Sequence, residues 1–189
     1  MRKLIVHEFI TLDGVIQAPG GSTEDTDGGF PYGGWSRAYW HDEMGAHFGQ
    51  VLMESDALLL GEKTWRIHGE AFEPDPAHDP FGGLKKYVVS TTLKSAGLWR
   101  NSAIIGGNVV EEVRKLKSQP GKSIMLDGSS VLVHTLIEND LVDEYLLHVY
   151  PLVLGMGKRL FPEGKQVNLK LVESSSVPTG VVYLRYQPA

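Results

Sequence analysis

The stretch Ile124-Met125-Leu126-Asp127-Gly128-Ser129-Ser130-Val131-Leu132 limits what this chain can fold into more than any other. Ile124 to Leu126 is apolar without alternation, as expected of a short strand covered on both faces. Gly128 permits a tight turn and a close backbone approach, and Ser129 or Ser130 can cap a following helix. That helix repeats its apolar residues every four positions, Leu132 with Leu136 and Val133 with Ile137. A strand that enters a helix through glycine leaves unpaired N–H groups and a partial positive charge at the helix start, a natural seat for phosphate. An ordinary strand-to-helix turn has the same local sequence, so the stretch alone leaves both readings open.

The rest of the chain repeats the theme. Lys3 to Leu12 reads as a first strand, ending in Thr11-Leu12-Asp13-Gly14. Trp40 to Met53 reads as a helix, with Met44, Phe48, Val51 and Leu52 on one face. Ala57-Leu58-Leu59-Leu60 is a second buried strand, and Gly61-Glu62-Lys63-Thr64-Trp65 is a second glycine turn opening a helix. Lys86 to Ser90 and Ala103 to Ile105 read as strands, Val109 to Leu116 as a helix, and Asp143 to Val149 as a further strand. Val167 to Ser174 and Val181 to Tyr186 close the chain as an antiparallel hairpin around Pro178-Thr179-Gly180. Strands alternating with helices, followed by a hairpin, predict an α/β fold with a mainly parallel sheet and an antiparallel edge.

Composition narrows the function classes. A length of 189 residues suits one domain spanning 1–189. The net charge of -5, with no Lys/Arg cluster, argues against nucleic acid and anionic membranes. With no cysteine, disulfides, thiolate zinc sites and cysteine nucleophiles are excluded. No apolar run approaches a membrane span, and the N-terminal apolar run is too short for a signal peptide, so a cytoplasmic location is expected. The seven histidines show no metal-ligand spacing, so no metal is expected. No HExxH, G-x-S-x-G, Walker-type or G-x-G-x-x-G motif occurs. What remains is two strand–glycine–helix turns and a polar strand end at Ser90, which suit a phosphate-bearing nucleotide lying across the carboxyl ends of parallel strands. Asp13 sits where the first strand opens into a loop, from which it can reach a ligand or simply cap the Asp-Gly turn. The glycine-rich stretch 17–35, with Phe30, Tyr32 and Trp35, suits either a lid or a surface excursion packing its own aromatics.

Several of these segments resemble a known family. Leu59-Leu60-Gly61-Glu62-Lys63-Thr64-Trp65 is similar to the cofactor-binding turn of dihydrofolate reductases. Thr11-Leu12-Asp13-Gly14-Val15-Ile16 resembles the opening motif of the RibD C-terminal domain family, the reductase half of the riboflavin-pathway deaminase-reductase. Gly128-Ser129, Leu141-Val142-Asp143-Glu144-Tyr145 and Pro151-x-x-Leu154-Gly155-x-Gly157-Lys158-Arg159-Leu160-Phe161 are similar to that family's closing signature. The resemblance implies a dihydrofolate reductase-like mixed sheet with helices on both faces, NADPH as hydride donor, and a homodimer. It implies reduction of 5-amino-6-(5-phosphoribosylamino)uracil or a related small heterocycle. Gly61, Lys63 and Thr64 would meet the cofactor phosphates, Ser90 and Thr91 the adenosine ribose and its 2′-phosphate, and Asp127, Gly128, Ser129 and Ser130 the pyrophosphate. Asp13 would face the nicotinamide and substrate as the proton donor, with water as its rival. Glu62 departs from the pattern, standing where arginine is common, and Thr91 and Thr92 stand where a basic residue would favour the 2′-phosphate. The alternatives are a dihydrofolate or pterin substrate, which calls for a carboxylate on the first helix such as Asp42 or Glu43, and a nucleotide-binding dimer without turnover.

Overall fold

The computed structural model describes all 189 residues. Its centre is β5 (Ser123–Leu126), hydrogen-bonded on one side to β1 (Leu4–Thr11) and on the other to β2 (Ser55–Gly61). Ile124 and Leu126 point into one apolar cluster and Met125 into another, so a strand buried on both faces has no polar alternation to show. The sheet extends outward through β3 (Lys85–Val89) and β4 (Ser102–Ile105) on the β2 side, and through β6 (Glu144–Tyr150) on the β1 side. The order is β4-β3-β2-β5-β1-β6-β8-β7, and the first six strands are parallel. The chain ends with β7 (Leu169–Ser176) and β8 (Val182–Pro188), an antiparallel pair joined to the sheet through β8 and β6.

Helices cover both faces. On one side, α1 (Asp42–Glu54) and α2 (Glu62–Phe72) bring Val51 and Trp65 onto Ile5, Leu58 and Leu60. On the other, α3 (Val109–Ser118) and α4 (Ser130–Glu138) bring Val113, Leu116, Leu132 and Leu136 onto Leu4, Val6 and Leu59. Burying a side chain of this size contributes roughly 1.5–3 kcal/mol, which is why the fourfold apolar spacing of α4 is decisive despite its nine residues. No helix is long and apolar enough to cross a membrane.

The long stretch after β1 does two things at once. Phe30 and Trp35 are buried and pack, with Val15 and Met44, against Tyr150 and Val181. Its earlier part, Gln17 to Asp25, reaches back over the ends of the strands. The aromatic cluster covers part of the closing region 150–154 and 181–186. Tyr150 and Val181 are fully buried beneath the chain's own loop. Apolar side chains left in water include Val153 in that region and Leu171 and Val172 on the edge strand β7, the last two each about half exposed.

Candidate active site

A cleft of about 600 Å³ opens at the carboxyl ends of β1, β2 and β5. At one end two helix starts meet. The Gly61 N–H donates to the Gly128 carbonyl at 3.2 Å, so the turn that opens α2 is tied to the turn that opens α4. Neither glycine has room for a side chain. A Cβ on Gly61 would overlap the Ser129 hydroxyl, and one on Gly128 would lie 2.9 Å from Thr64 Oγ1. Gly128 also holds φ at +66°, in the left-handed region that favours glycine, and the Gly128–Ser129 peptide is cis. Ser129 caps α4 through its backbone, and its hydroxyl makes no capping bond. The N–H groups of two adjacent helix starts, with the hydroxyls of Thr64, Ser129 and Ser130 on the cleft wall, form a cradle suited to a pyrophosphate.

The 17–35 loop closes over this end through four charges. Lys63 Nζ lies 2.5 Å from Asp25 and 2.7 Å from Asp27, and Lys158 Nζ lies 2.6 Å from each. Gln17 stitches the same corner by donating to the Asp25 and Asp27 carbonyls at 3.1 Å and accepting from the Lys158 N–H at 3.0 Å. Hydrogen bonds from Lys158 and Lys63 hold the Asp27 carboxyl down at about 2.

The floor of the cleft carries an unusual set of titratable groups. Glu8 is 6% exposed, and its Oε1 accepts the Gly128 N–H at 2.9 Å. Burial, then the neighbouring Asp127 charge, raise its carboxyl well above the usual range, and the Gly128 N–H only partly offsets them. His68 Nε2 lies 3.1 Å from Asp127 Oδ2, and its Nδ1 lies 3.0 Å from the Thr64 carbonyl. Both partners are acceptors, so the geometry assigns a hydrogen to each ring nitrogen and a positive charge to the ring. Burial opposes that charge, but the Asp127 carboxylate outweighs it and raises His68. Asp127 is lowered in return, its pairing with His68 exceeding the cost of burial. His7 lies beside Phe48 with neither ring nitrogen partnered, and burial lowers its pKa.

The structure brings Lys63, Thr64, Asp127, Gly128, Ser129 and Ser130 together on the cleft wall. Gly61 lies directly behind them, against Ser129. Ser90 and Thr91 are not on that wall. Ser90 donates to Glu62 and accepts from the Thr92 and Leu93 N–H groups at 3.0 Å, while Thr91 is exposed. Glu62 faces this turn, accepting from Thr92 Oγ1 at 2.8 Å and pairing with Arg66 at 2.9 Å. Asp13 is also off the wall. Its oxygens accept from Thr11 at 2.6 Å and from the Leu154 and Gly155 N–H groups at 3.2 and 2.8 Å, fastening β1 to the 152–155 segment. These hydrogen bonds outweigh burial and hold the Asp13 carboxyl below the usual range, favouring its charged form. Glu8, Asp25, His68 and Lys158 also line the cleft, and no local motif in the sequence marks them as site residues. Glu8 did carry a signal, as a carboxylate beside His7 in the middle of a strand whose flanks, Leu4–Val6 and Phe9–Ile10, are apolar.

Fold and cleft together define a dihydrofolate reductase-like α/β protein. Dihydrofolate reductase from Enterococcus faecalis, complexed with NADP(H) and RAB-propyl, matches with a TM-score of 0.62 at 16% identity, covering 98% of this chain and 96% of that one. A candidate riboflavin biosynthesis protein from Shewanella sp. PV-4 matches with a TM-score of 0.77 at 19% identity, covering 99% of both chains. Within that class, the chain belongs to the RibD C-terminal domain family, whose profile matches residues 2–183. YyaP of Bacillus subtilis (strain 168), itself an uncharacterized protein, is 36% identical over 194 residues, spanning 98% of this chain and 94% of YyaP.

Proposed function

We propose that this protein is a reductase that binds NADPH across the α2 and α4 starts and reduces a small phosphate-bearing heterocycle of the ribosylamino-pyrimidine kind. The observation that carries the reading is the joined pair of helix starts, Gly61 against Gly128–Ser129, at the mouth of a cleft with an aromatic wall. Thr64, Ser129 and Ser130 would hold the pyrophosphate, and the cofactor, when bound, supplies the hydride. Among the cations lining the cleft, Lys63 and Lys158 are each paired with Asp25 and Asp27, and Arg37, which donates to the Gly20 carbonyl, is the one without a carboxylate partner and so the one best placed to meet a substrate phosphate. A dihydrofolate substrate calls for a carboxylate on α1, and neither Asp42 nor Glu43 lines the cleft. The acids that do line its floor come from β1 and the end of β5.

The residues fit the pyrophosphate better than the 2′-phosphate. The turn at Ser90 presents Glu62, and the cation beside it, Arg66, is already paired with that carboxylate. Titrating tryptophan fluorescence with NADPH and with NADH tests the reading, since Trp40 lines the cleft. The parent is expected to bind both. Glu62→Arg is expected to shift the preference toward NADPH by up to about tenfold, because a like charge beside the phosphate becomes an opposite one. No binding of either nucleotide would remove the function, and an unchanged preference would remove only the placement of the ribose end.

The same reading makes the protein a homodimer, supported by the family and by the half-exposed Leu171 and Val172 on an edge strand with free backbone groups. Light scattering at micromolar concentration is expected to give twice the chain mass, and Val172→Glu to restore the monomer. A monomeric parent ends this expectation.

A further inference from the structure

We propose that Glu8 is the proton donor of this site, a carboxyl buried beneath the cleft with one oxygen unengaged, whose proton passes to the substrate nitrogen as hydride arrives at the adjacent carbon. The inference rests on the reductase reading above and adds the residue that reading lacks.

Three features single Glu8 out. It lies between the apolar Val6 and Ile10 on the face of β1 covered by α3 and α4, yet it lines the cleft. Its one protein partner is the Gly128 N–H, which engages Oε1 and leaves Oε2 free. Every charged group that bears directly on it is another acid: Asp127 from the end of β5, and Glu24 from the loop above. The cations on the same cleft have other engagements: His68 with Asp127, Lys63 and Lys158 with Asp25 and Asp27, and Arg37 with the Gly20 carbonyl. Burial, then the Asp127 and Glu24 charges, raise the pKa of such a carboxyl and favour its protonated form.

That arrangement divides the work. Asp127 stays charged because His68 neutralises it, and both hydrogens of His68 are already committed to acceptors. Glu8 alone combines a transferable proton with an unengaged oxygen at the cleft. The step balances as follows. A reduced nicotinamide transfers hydride to the carbon of the substrate's C=N bond and becomes oxidised. The π electron pair moves onto nitrogen, and the Glu8 proton bonds to that nitrogen, giving CH–NH. Glu8 is left as a carboxylate beside Asp127 and retakes a proton from water when the product leaves. An acid whose pKa lies close to the working pH is the best compromise for such a transfer.

Glu8→Gln tests this, since the amide keeps the shape and its oxygen can still accept the Gly128 N–H. With 13C-carboxyl-labelled glutamate, the resonance missing from Glu8→Gln is expected to stay protonated through pH 7 in the parent, while exposed glutamates titrate near about 4.3. Reduction rates are read with the ribosylamino-pyrimidine phosphate and with 7,8-dihydrofolate as C=N probes. Glu8→Gln is expected to lose about 10²–10⁴-fold in rate, to lose the alkaline limb of the pH profile, and to keep the parent's melting behaviour and NADPH affinity. A Glu8 carboxyl that titrates with the exposed ones overturns the proposal, whatever the probes do. A variant that retains rate and alkaline limb also overturns it and makes water or His68 the donor. If neither probe is reduced, the titration decides alone. Failure of the parent to bind dinucleotide would instead overturn the reductase reading itself.

Discussion

A Gly128→Val chain is expected to melt as a folded protein and to leave its tryptophan fluorescence unchanged when NADPH is added. Two features of the turn set the size of the effect. The backbone there sits at φ +66°, where a residue with a Cβ costs about 1–2 kcal/mol and a β-branched one more. The new Cβ would also meet Thr64 Oγ1 at 2.9 Å, on the surface where the pyrophosphate would rest. A domain with apolar clusters on both faces of its sheet can absorb the first cost. The second removes the space that a phosphate needs. The Gly128 N–H also holds Glu8, so the variant should disturb the floor of the cleft as well as its rim. Differential scanning calorimetry beside the fluorescence titration separates the two losses. A folded Gly128→Val protein that binds NADPH like the parent would move the cofactor off α4 altogether.

His148→Phe should change stability in a way that depends steeply on pH. His148 is 1% exposed, both its ring nitrogens lack partners, and it lies among His7, His47, Phe9 and Tyr183. Burial, with His7 and His47 adding to it, lowers its pKa to about 2. The folded chain therefore holds this imidazole neutral, while the unfolded chain protonates it below about pH 6.5. Its neutral form is no handicap above that pH, and stability drains away as pH falls through the window between 6.5 and the folded value. Phenylalanine suits the aromatic cluster and cannot titrate. Near pH 7 the two proteins should differ by no more than about 1–2 kcal/mol, the unpartnered nitrogens relieved on one side and tighter packing on the other. Below that the variant should gain about 1.4 kcal/mol per pH unit over the parent, or about 2–3 kcal/mol by about pH 4.5. Glu8 and His68, whose raised pKa values act in the opposite sense, are common to both chains and largely cancel in the difference. Urea melts at the two pH values measure it, and parallel pH dependence would mean that water reaches the ring.

Much of this architecture is legible before any coordinates are seen, because its elements are punctuated locally. Leu58 to Leu60 and Ile124 to Leu126 are apolar without alternation, each runs into a glycine turn that opens a helix, and in the second helix the apolar residues recur every four positions. Those signals act over a few residues, and single-residue chemistry expresses them. The floor of the cleft is different. That Asp127 meets His68, or that Glu8 meets the Gly128 N–H, depends on which strands lie side by side, and no local pattern encodes strand order. Asp13 illustrates the converse. Its position at a strand end is what a ligand-facing acid has, yet its oxygens turn toward the Leu154 and Gly155 N–H groups. The stretch 17–35 announces itself by glycines and aromatics, but only tertiary placement splits it into a part buried on Tyr150 and a part over the cleft.

The placement of β5 between β1 and β2 bears on how the protein must assemble. Glu8 and Gly128 are 120 residues apart in the chain, and the ladder joining β1 to β5 closes a loop of the same order. Closing so long a loop costs entropy before any contact rewards it, so a sheet with this order should form slowly for its size. The first hairpin-like contacts available are those of β7 with β8, at the edge farthest from the cleft. The middle of the sheet cannot be completed until β5 inserts, and the paired helix starts, where we place the pyrophosphate, come together in that same event. A chain emerging from the ribosome therefore has nothing that could bind a dinucleotide until it has been made well past its midpoint, and early intermediates of refolding should be blind to NADPH.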